Sequence, residues 1–170
     1  MINREGIINA CKAELGQHEE PVGSNKQKYG LWYGMNGVAW CAQYVAYCFA
    51  RAGYPLKIDK GFKGFHYVPT LHARAKQKGW LTNTPQAGDI VLFDFKPNDG
   101  KEFAQHVGIF DGNVVGGKYM CYEGNTSSGE GGSQDNGDCV AYKPRQKVFI
   151  LGFVDSEKMI DSWINKVVSI

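Results

Sequence analysis

The hydrophobic residues change their spacing about halfway along the chain. In the first half they recur every three or four positions, which is typical of amphipathic helices. The clearest such segment is 41–52, which Gly53 ends. From this pattern we predict helices over residues 7–15, 41–52 and 70–77. Residues 23–39 are rich in glycine and aromatic residues without a period, so we predict an irregular loop there.

After Pro85 the apolar residues instead form short runs that are rich in β-branched and aromatic side chains. Turn-forming residues separate these runs, including a predicted turn at 111–113 and a Gly/Ser-rich stretch over 124–137. The runs predict five strands, over residues 89–93, 106–110, 119–122, 139–142 and 148–151. Strands that follow one another so closely pair into an antiparallel sheet, so the sequence predicts an α+β fold.

The C-terminal segment returns to helical spacing, and residues 156–168 are predicted to form an amphipathic helix. We therefore divide the chain into a main domain, 1–154, and a C-terminal helix or start of a linker, 155–170. Three roles for this helix stay open at this stage. It either docks on the domain, leads into a second domain, or contacts a partner or another copy of the chain.

Composition and charge narrow the range of functions. The chain has 170 residues, of which 43% are hydrophobic and 21% charged, as in ordinary globular proteins. Because the formal net charge is only +2 and like charges do not cluster, no nucleic-acid partner is expected. No segment has the apolar length of a signal peptide or a membrane span. We expect synthesis in the cytoplasm, no membrane insertion, and delivery by another component if the protein acts outside.

The five cysteines include no C-x-x-C pair, so no structural zinc site is predicted. Cys121 and Cys139 lie in predicted strands. We favour buried core positions for both, and a disulfide between them is the alternative in an extracellular protein. Cys41 differs because it begins the strongest predicted helix. Free N–H groups and the helix dipole there favour a thiolate and can hold an oxyanion, which makes Cys41 a candidate nucleophile; a small buried side chain is the alternative.

A nucleophilic cysteine needs a general base, and the chain offers four histidines: His18, His66, His72 and His106. His106 begins a predicted strand, where it would be held rigidly at the sheet rim. Glu123 and Asn125 follow the end of the next predicted strand, which antiparallel pairing can bring beside the imidazole. A carboxylate or amide there would fix the tautomer and orientation of the ring. The alternative is a structural histidine, with Asn125 serving as a turn residue.

Four short motifs follow one another along the chain: WCAQYV from Trp40, AGDIVLF from Ala87, QHVGIF from Gln105 and YEGNT from Tyr122. This ordered set resembles the CHAP family, the cysteine- and histidine-dependent amidohydrolases and peptidases. The glycine- and aromatic-rich segment 23–39 also resembles CHAP domains of phage and bacterial lysins. Related NlpC-type peptidases usually have Asp-Cys-Ser-Gly around the nucleophile, whereas the WCAQ sequence here favours CHAP.

The resemblance implies a papain-like α+β fold and a hydrolase that cuts an amide bond of peptidoglycan. It assigns the nucleophile to Cys41, the base to His106, the orienting acid to Glu123 and a further polar site residue to Asn125. The bond cut stays undecided between that of an N-acetylmuramoyl-L-alanine amidase and that of a D,L- or cross-bridge endopeptidase. Aromatic residues near the cysteine are candidates for lining the substrate groove, with simple packing as the alternative: Trp32, Tyr33 and Trp40.

Some phage CHAP domains bind calcium through acidic residues shortly before the cysteine. Residues 23–39 contain no Asp or Glu, so neither a metal nor another cofactor is expected here. A lysin-like role, with release by a holin or transport in a virion, would fit the lack of a signal peptide, and residues 155–170 could lead to a wall-binding domain. The rival class is a catalytically silent structural or wall-binding module of a phage tail or cell-surface protein.

Overall fold

The computed structural model describes residues 1–58, 63–129 and 131–167. The end of the predicted C-terminal segment, 168–170, lies outside these ranges. The described helices are α1 (Arg4–Lys12), α2 (Lys28–Tyr33), α3 (Cys41–Arg51), α4 (Val68–Lys78) and α5 (Ser156–Val167). The strands are β1 (Leu81–Thr82), β2 (Ile90–Phe93), β3 (His106–Val115), β4 (Lys118–Thr126), β5 (Cys139–Gln146) and β6 (Ile150–Val154).

The strands form one antiparallel sheet in the order β1-β6-β2-β3-β4-β5. The helical first half followed by this sheet confirms the predicted α+β fold. The core lies between α3 and the sheet, and glycine at position 124 lets β4 approach α3 closely. A Cβ atom at Gly124 would lie 2.7 Å from side-chain atoms of Trp40 and Tyr44. Close packing at this point brings the end of β4 beside the start of α3.

Three local predictions are wrong. The strand predicted over 148–151 begins only at Ile150, because Lys147–Phe149 form a 3-10 helix. The segment 23–39 is not wholly irregular, because it contains α2. The Gln27 side chain begins this helix by accepting hydrogen bonds from the backbone N–H groups of its first turn. The turn predicted at 111–113 is instead an irregular stretch within β3, and the chain reverses at Gly116 and Gly117. These two glycines have positive φ values of 57° and 76°, which suit a two-residue hairpin turn.

The cysteines of the sheet are buried free thiols. In the β4–β5 register Cys121 is opposite Lys143 and Cys139 is opposite Thr126, so the two cysteines are not cross-strand partners. The favoured interpretation of both as core residues is therefore confirmed, and the alternative disulfide is wrong.

Helix α5 docks on the sheet domain. The Ser156 N–H group donates to Asp89 Oδ1 at 3.1 Å, and Met159 is fully buried. The Trp163 ring meets Trp80 edge to face, with 5.9 Å between centroids. Docking, one of the three predicted roles of the C-terminal helix, is thus confirmed for its first turns. None of the described helices has the length and apolar character needed to cross a membrane.

Candidate active site

Cys41 is the first residue of α3 and is 5% exposed. The N-cap residue, Trp40, makes no capping hydrogen bond with its side chain. The backbone N–H groups of the first turn therefore have no acceptor from the cap, and they remain able to hold an anion beside the Cys41 sulfur. This is the local chemistry that the helical pattern predicted for Cys41.

His106 is the first residue of β3 and is fully buried. Its Nε2 atom lies 2.9 Å from Glu123 Oε2. Its Nδ1 atom has no partner within ordinary hydrogen-bond distance among the described residues. This ring nitrogen is therefore the one available to the Cys41 thiol, whose side chain interacts with His106. Burial by itself lowers the pKa of His106, but the adjacent Cys41 and Glu123 side chains outweigh burial and raise this pKa to about 9. The protonated imidazole is therefore the stable form at neutral pH.

Glu123 reaches His106 across β3 because position 108 is glycine. A Cβ atom at Gly108 would lie 2.7 Å from Glu123 Cγ and would occupy the path of the carboxylate. Both Glu123 and His106 are fully buried. Burial would raise the pKa of Glu123, but hydrogen bonds and charge interactions with Arg145 and His106 hold it below its usual value. The structure therefore has a buried carboxylate and a buried imidazolium in direct contact.

Asn125 supports the cysteine side of the site rather than the imidazole. Its Oδ1 atom accepts a hydrogen bond from the Trp40 N–H group at 3.0 Å, directly before Cys41. Its Nδ2 atom donates to the Gly137 carbonyl at 2.9 Å. Asn125 adopts a left-handed conformation with φ of 58°, which asparagine tolerates better than most residues. The side chain thus ties the end of β4 to the residue that precedes α3.

The structure adds a second support that the sequence did not single out. Glu19 is 5% exposed, and its Oε1 atom accepts a hydrogen bond from Trp40 Nε1 at 2.8 Å. Its Oε2 atom accepts one from the Asn25 N–H group at 2.9 Å. Because Glu19 lies among polar residues in the sequence, it has the local signature of an exposed position. Its burial depends on a tryptophan 21 residues away.

The expected aromatic groove needs correction. Trp40 is fully buried and stacks on Tyr29, with 5.4 Å between ring centroids. Tyr33 is only 5% exposed and belongs to the same core. These two rings are core residues and do not form a surface for substrate. Trp32 alone among the three expected groove residues is partly exposed, so it stays a predicted contact.

Among the described residues, one group of three side chains has metal-ligating atoms close together: His18, Asp138 and Cys139, within 4.8 Å of one another. His18 Nδ1 lies 3.4 Å from Asp138 Oδ2, and the Cys139 thiol donates to the Thr126 carbonyl at 3.1 Å. Burial raises the pKa of Cys139, which favours the protonated thiol over the thiolate that a metal requires. We therefore assign no metal to this group.

An α+β fold in which a helix begins with cysteine and the facing strand begins with histidine is consistent with the papain-like class. Residues 32–125 match the family model of the CHAP domain, and this range contains Cys41, His106, Glu123 and Asn125. Because the match covers more than half of the chain, the chain belongs to the CHAP family. CHAP domains are generally hydrolases that act on peptidoglycan. No curated protein and no solved structure gives a significant match.

Proposed function

We propose that this protein hydrolyses an amide bond of peptidoglycan with the Cys41 thiolate as its nucleophile, as a lysin does. The observation that carries the proposal is the buried His106 imidazole between Glu123 and Cys41, with a pKa that both neighbours raise. A histidine protonated at neutral pH can stabilise a thiolate and can later give its proton to a leaving amine. A merely structural histidine would not need a buried carboxylate on one side and a thiol on the other.

The proposed reaction begins when the Cys41 thiolate attacks the carbonyl carbon of the scissile amide. The oxyanion that forms accepts hydrogen bonds from the free N–H groups of the first turn of α3. His106 donates its proton to the amide nitrogen, the C–N bond breaks, and an amine leaves from a thioester on Cys41. Water then gives one proton to His106 and its hydroxide attacks the thioester, and breaking the C–S bond regenerates the thiolate and imidazolium pair. The product leaves as a carboxylic acid, which loses its remaining proton to solvent.

The bond that is cut is tested by digesting purified walls and identifying the new amine and carboxyl groups by mass spectrometry. An amidase would free the amino group of the first stem alanine from the muramoyl lactyl group. An endopeptidase would leave that linkage intact and cut within the stem or the cross-bridge. Wild-type protein is expected to generate the new amine and carboxyl groups of one of these two cleavages. A Cys41→Ala protein should generate neither. Folded wild-type protein that binds walls without producing any new end would support the silent wall-binding module instead.

Hydrolysis is expected to fall to half of its maximal rate at about pH 9 and to fall further above it, because the pKa of His106 is raised to about 9. Below this value the imidazole holds the proton that the leaving amine requires. Above it that proton is lost, so kcat/KM falls about tenfold per pH unit. The measurement is kcat/KM on a soluble peptidoglycan fragment as a function of pH.

His72 provides a matched control for this profile, since it is also buried and lies on α4 beside Glu102. A His72→Gln variant should keep the wild-type decline. A decline of the wild-type rate centred near 6.5, the ordinary value for histidine, would contradict the proposed role of His106.

A further inference from the structure

Glu123 has a second charged partner, Arg145 on β5. Arg145 Nε donates to Glu123 Oε1 at 2.7 Å, and Arg145 Nη2 donates to Oε2 at 2.5 Å. This is the two-point geometry in which a guanidinium binds a carboxylate most specifically. Oε2 also faces His106 Nε2, so the carboxylate binds Arg145 through both oxygens and His106 through one of them. Glu123 thus lies between two buried cationic groups.

Arg145 is itself held in place on all sides. The residue is 6% exposed, and the guanidinium lies over the rings of Phe93 and Phe95, 5.5 Å and 5.0 Å from their centroids. Its Nη1 atom donates to Gln134 Oε1 at 2.9 Å. Its Nη2 atom also lies 3.3 Å from Thr126 Oγ1. Stacking and hydrogen bonds therefore leave the guanidinium one orientation, the one that points at Glu123.

The charges of the site alternate in sign from Cys41 to Arg145 when the thiol is ionised: thiolate, imidazolium, carboxylate and guanidinium. A fully buried carboxyl group with no cationic partner is more stable in its neutral, protonated form. Arg145 opposes this tendency, and it is the strongest influence that lowers the pKa of Glu123 against its burial. A neutral Glu123 could still touch His106, but it would no longer stabilise the imidazolium by charge.

We propose that Arg145 is a positioning residue of the active site, which keeps Glu123 ionised and oriented toward His106. This inference rests on the proposed function, since it concerns the support of the same Cys41 and His106 chemistry. Arg145 touches neither the thiol nor the imidazole in the hydrogen-bond network described above. It acts through Glu123, so its contribution should depend on Glu123 being an acid.

The test replaces Arg145 by methionine, which keeps much of the side-chain length and removes the charge. Lys143→Met is the matched control. Lys143 is also a buried cation on β5, two residues earlier, and it donates to the carbonyl oxygens of Ser127 and Gly129. With Arg145→Met we expect kcat/KM to fall about 10- to 100-fold, the size of effect seen when the residue that orients a metal-ligating side chain is removed. If Lys143→Met stays near the wild-type rate, the lower rate of Arg145→Met is not a general effect of removing a buried positive charge from β5.

The decisive readout is the acidic side of the pH profile. Without Arg145 the pKa of Glu123 rises, so the rate of Arg145→Met should begin to fall at least about one pH unit higher than that of wild type as the pH is lowered. Arg145→Lys should restore the wild-type acidic limb, although at a lower rate. In a Glu123→Gln background, Arg145→Met should not move the acidic limb, because the group on which it acts no longer titrates.

Carbon-13 NMR of the Glu123 carboxyl group, assigned with Glu123→Gln, gives the same comparison without substrate. If Arg145→Met does not fold, Arg145→Gln is the second neutral variant, and the same upward shift is expected for it. An unchanged Glu123 titration in a folded neutral variant would overturn the inference. If the neutral Arg145 variant shows the shift by NMR but wild-type protein does not cleave walls, the proposed function is rejected and the inference about Arg145 and Glu123 stands.

Discussion

Replacing Cys41 by alanine should lower the rate of wall hydrolysis by about 10⁵- to 10⁶-fold, the size of effect seen when a catalytic nucleophile is removed. The expected loss is this large because no other group in the described site can form the thioester. His106 would keep its contact with Glu123 but would have no thiol to ionise. The measurement combines loss of turbidity of purified walls with the release of new amines. Circular dichroism of the same sample establishes that the variant is folded.

Cys48 is the control for this substitution because it lies on the same helix and is fully buried in the core. Burial holds the pKa of its thiol well above the usual value, so it stays protonated and unreactive. Cys48→Ala should cost about 1–2 kcal/mol of stability through the small cavity that it leaves, while its rate changes less than about threefold. Equal rates for Cys41→Ala and wild type would reject the thiol mechanism. Equal losses in both cysteine variants would point to damage to α3.

The parts of this site that could be predicted from sequence are those that local spacing specifies. The helical period of α3 and its start at Cys41 are properties of a few adjacent residues. His106 at the start of β3 follows from a short β-branched run after polar residues. Pairing of successive strands then brought Glu123 into range of the imidazole, because β3 and β4 are joined by a hairpin. Each of these steps needs only short-range information.

Arg145 and Glu19 could not be predicted in this way. Arg145 lies in a segment where charged and polar residues alternate with apolar ones, which is the ordinary pattern of a strand with one exposed face. Its burial follows from a carboxylate 22 residues earlier, and that of Glu19 from an indole 21 residues later. Aromatic residues in 23–39 were ambiguous for a related reason. Ring content does not reveal whether a ring such as Tyr33 faces the core or the solvent.

The position of the turn between β3 and β4 could not be predicted from local sequence either. Two turn signals occur close together, at 111–113 and at Gly116 and Gly117, and both are rich in glycine or asparagine. Val115 pairs with Lys118, so the register selects the second signal and leaves the first as an irregularity in β3. Register is set by the burial of whole strand faces, which neither turn sequence contains.

Replacing Glu123 by alanine should reduce both stability and activity. The substitution leaves the Arg145 guanidinium and the His106 imidazole buried without their shared carboxylate. Removing one partner of a buried ion pair costs about 3–5 kcal/mol, because the remaining charge has lost its compensation. Loss of the acid that orients a catalytic histidine lowers turnover by about 10⁴-fold. Urea unfolding and wall hydrolysis measure the two effects on the same preparation.

Glu123→Gln separates charge from shape, since glutamine has nearly the same volume and can still hydrogen-bond to its neighbours. The wild-type pKa of Glu123 is held below its unfolded value of 4.5. Its ionised form therefore contributes stability that is present above about pH 4.5 and is lost as the pH falls through the folded pKa. The difference in unfolding free energy between wild type and Glu123→Gln should accordingly shrink in acid. A glutamine variant that hydrolyses walls at the wild-type rate would contradict the role of Glu123, since it would show that no negative charge is needed beside His106.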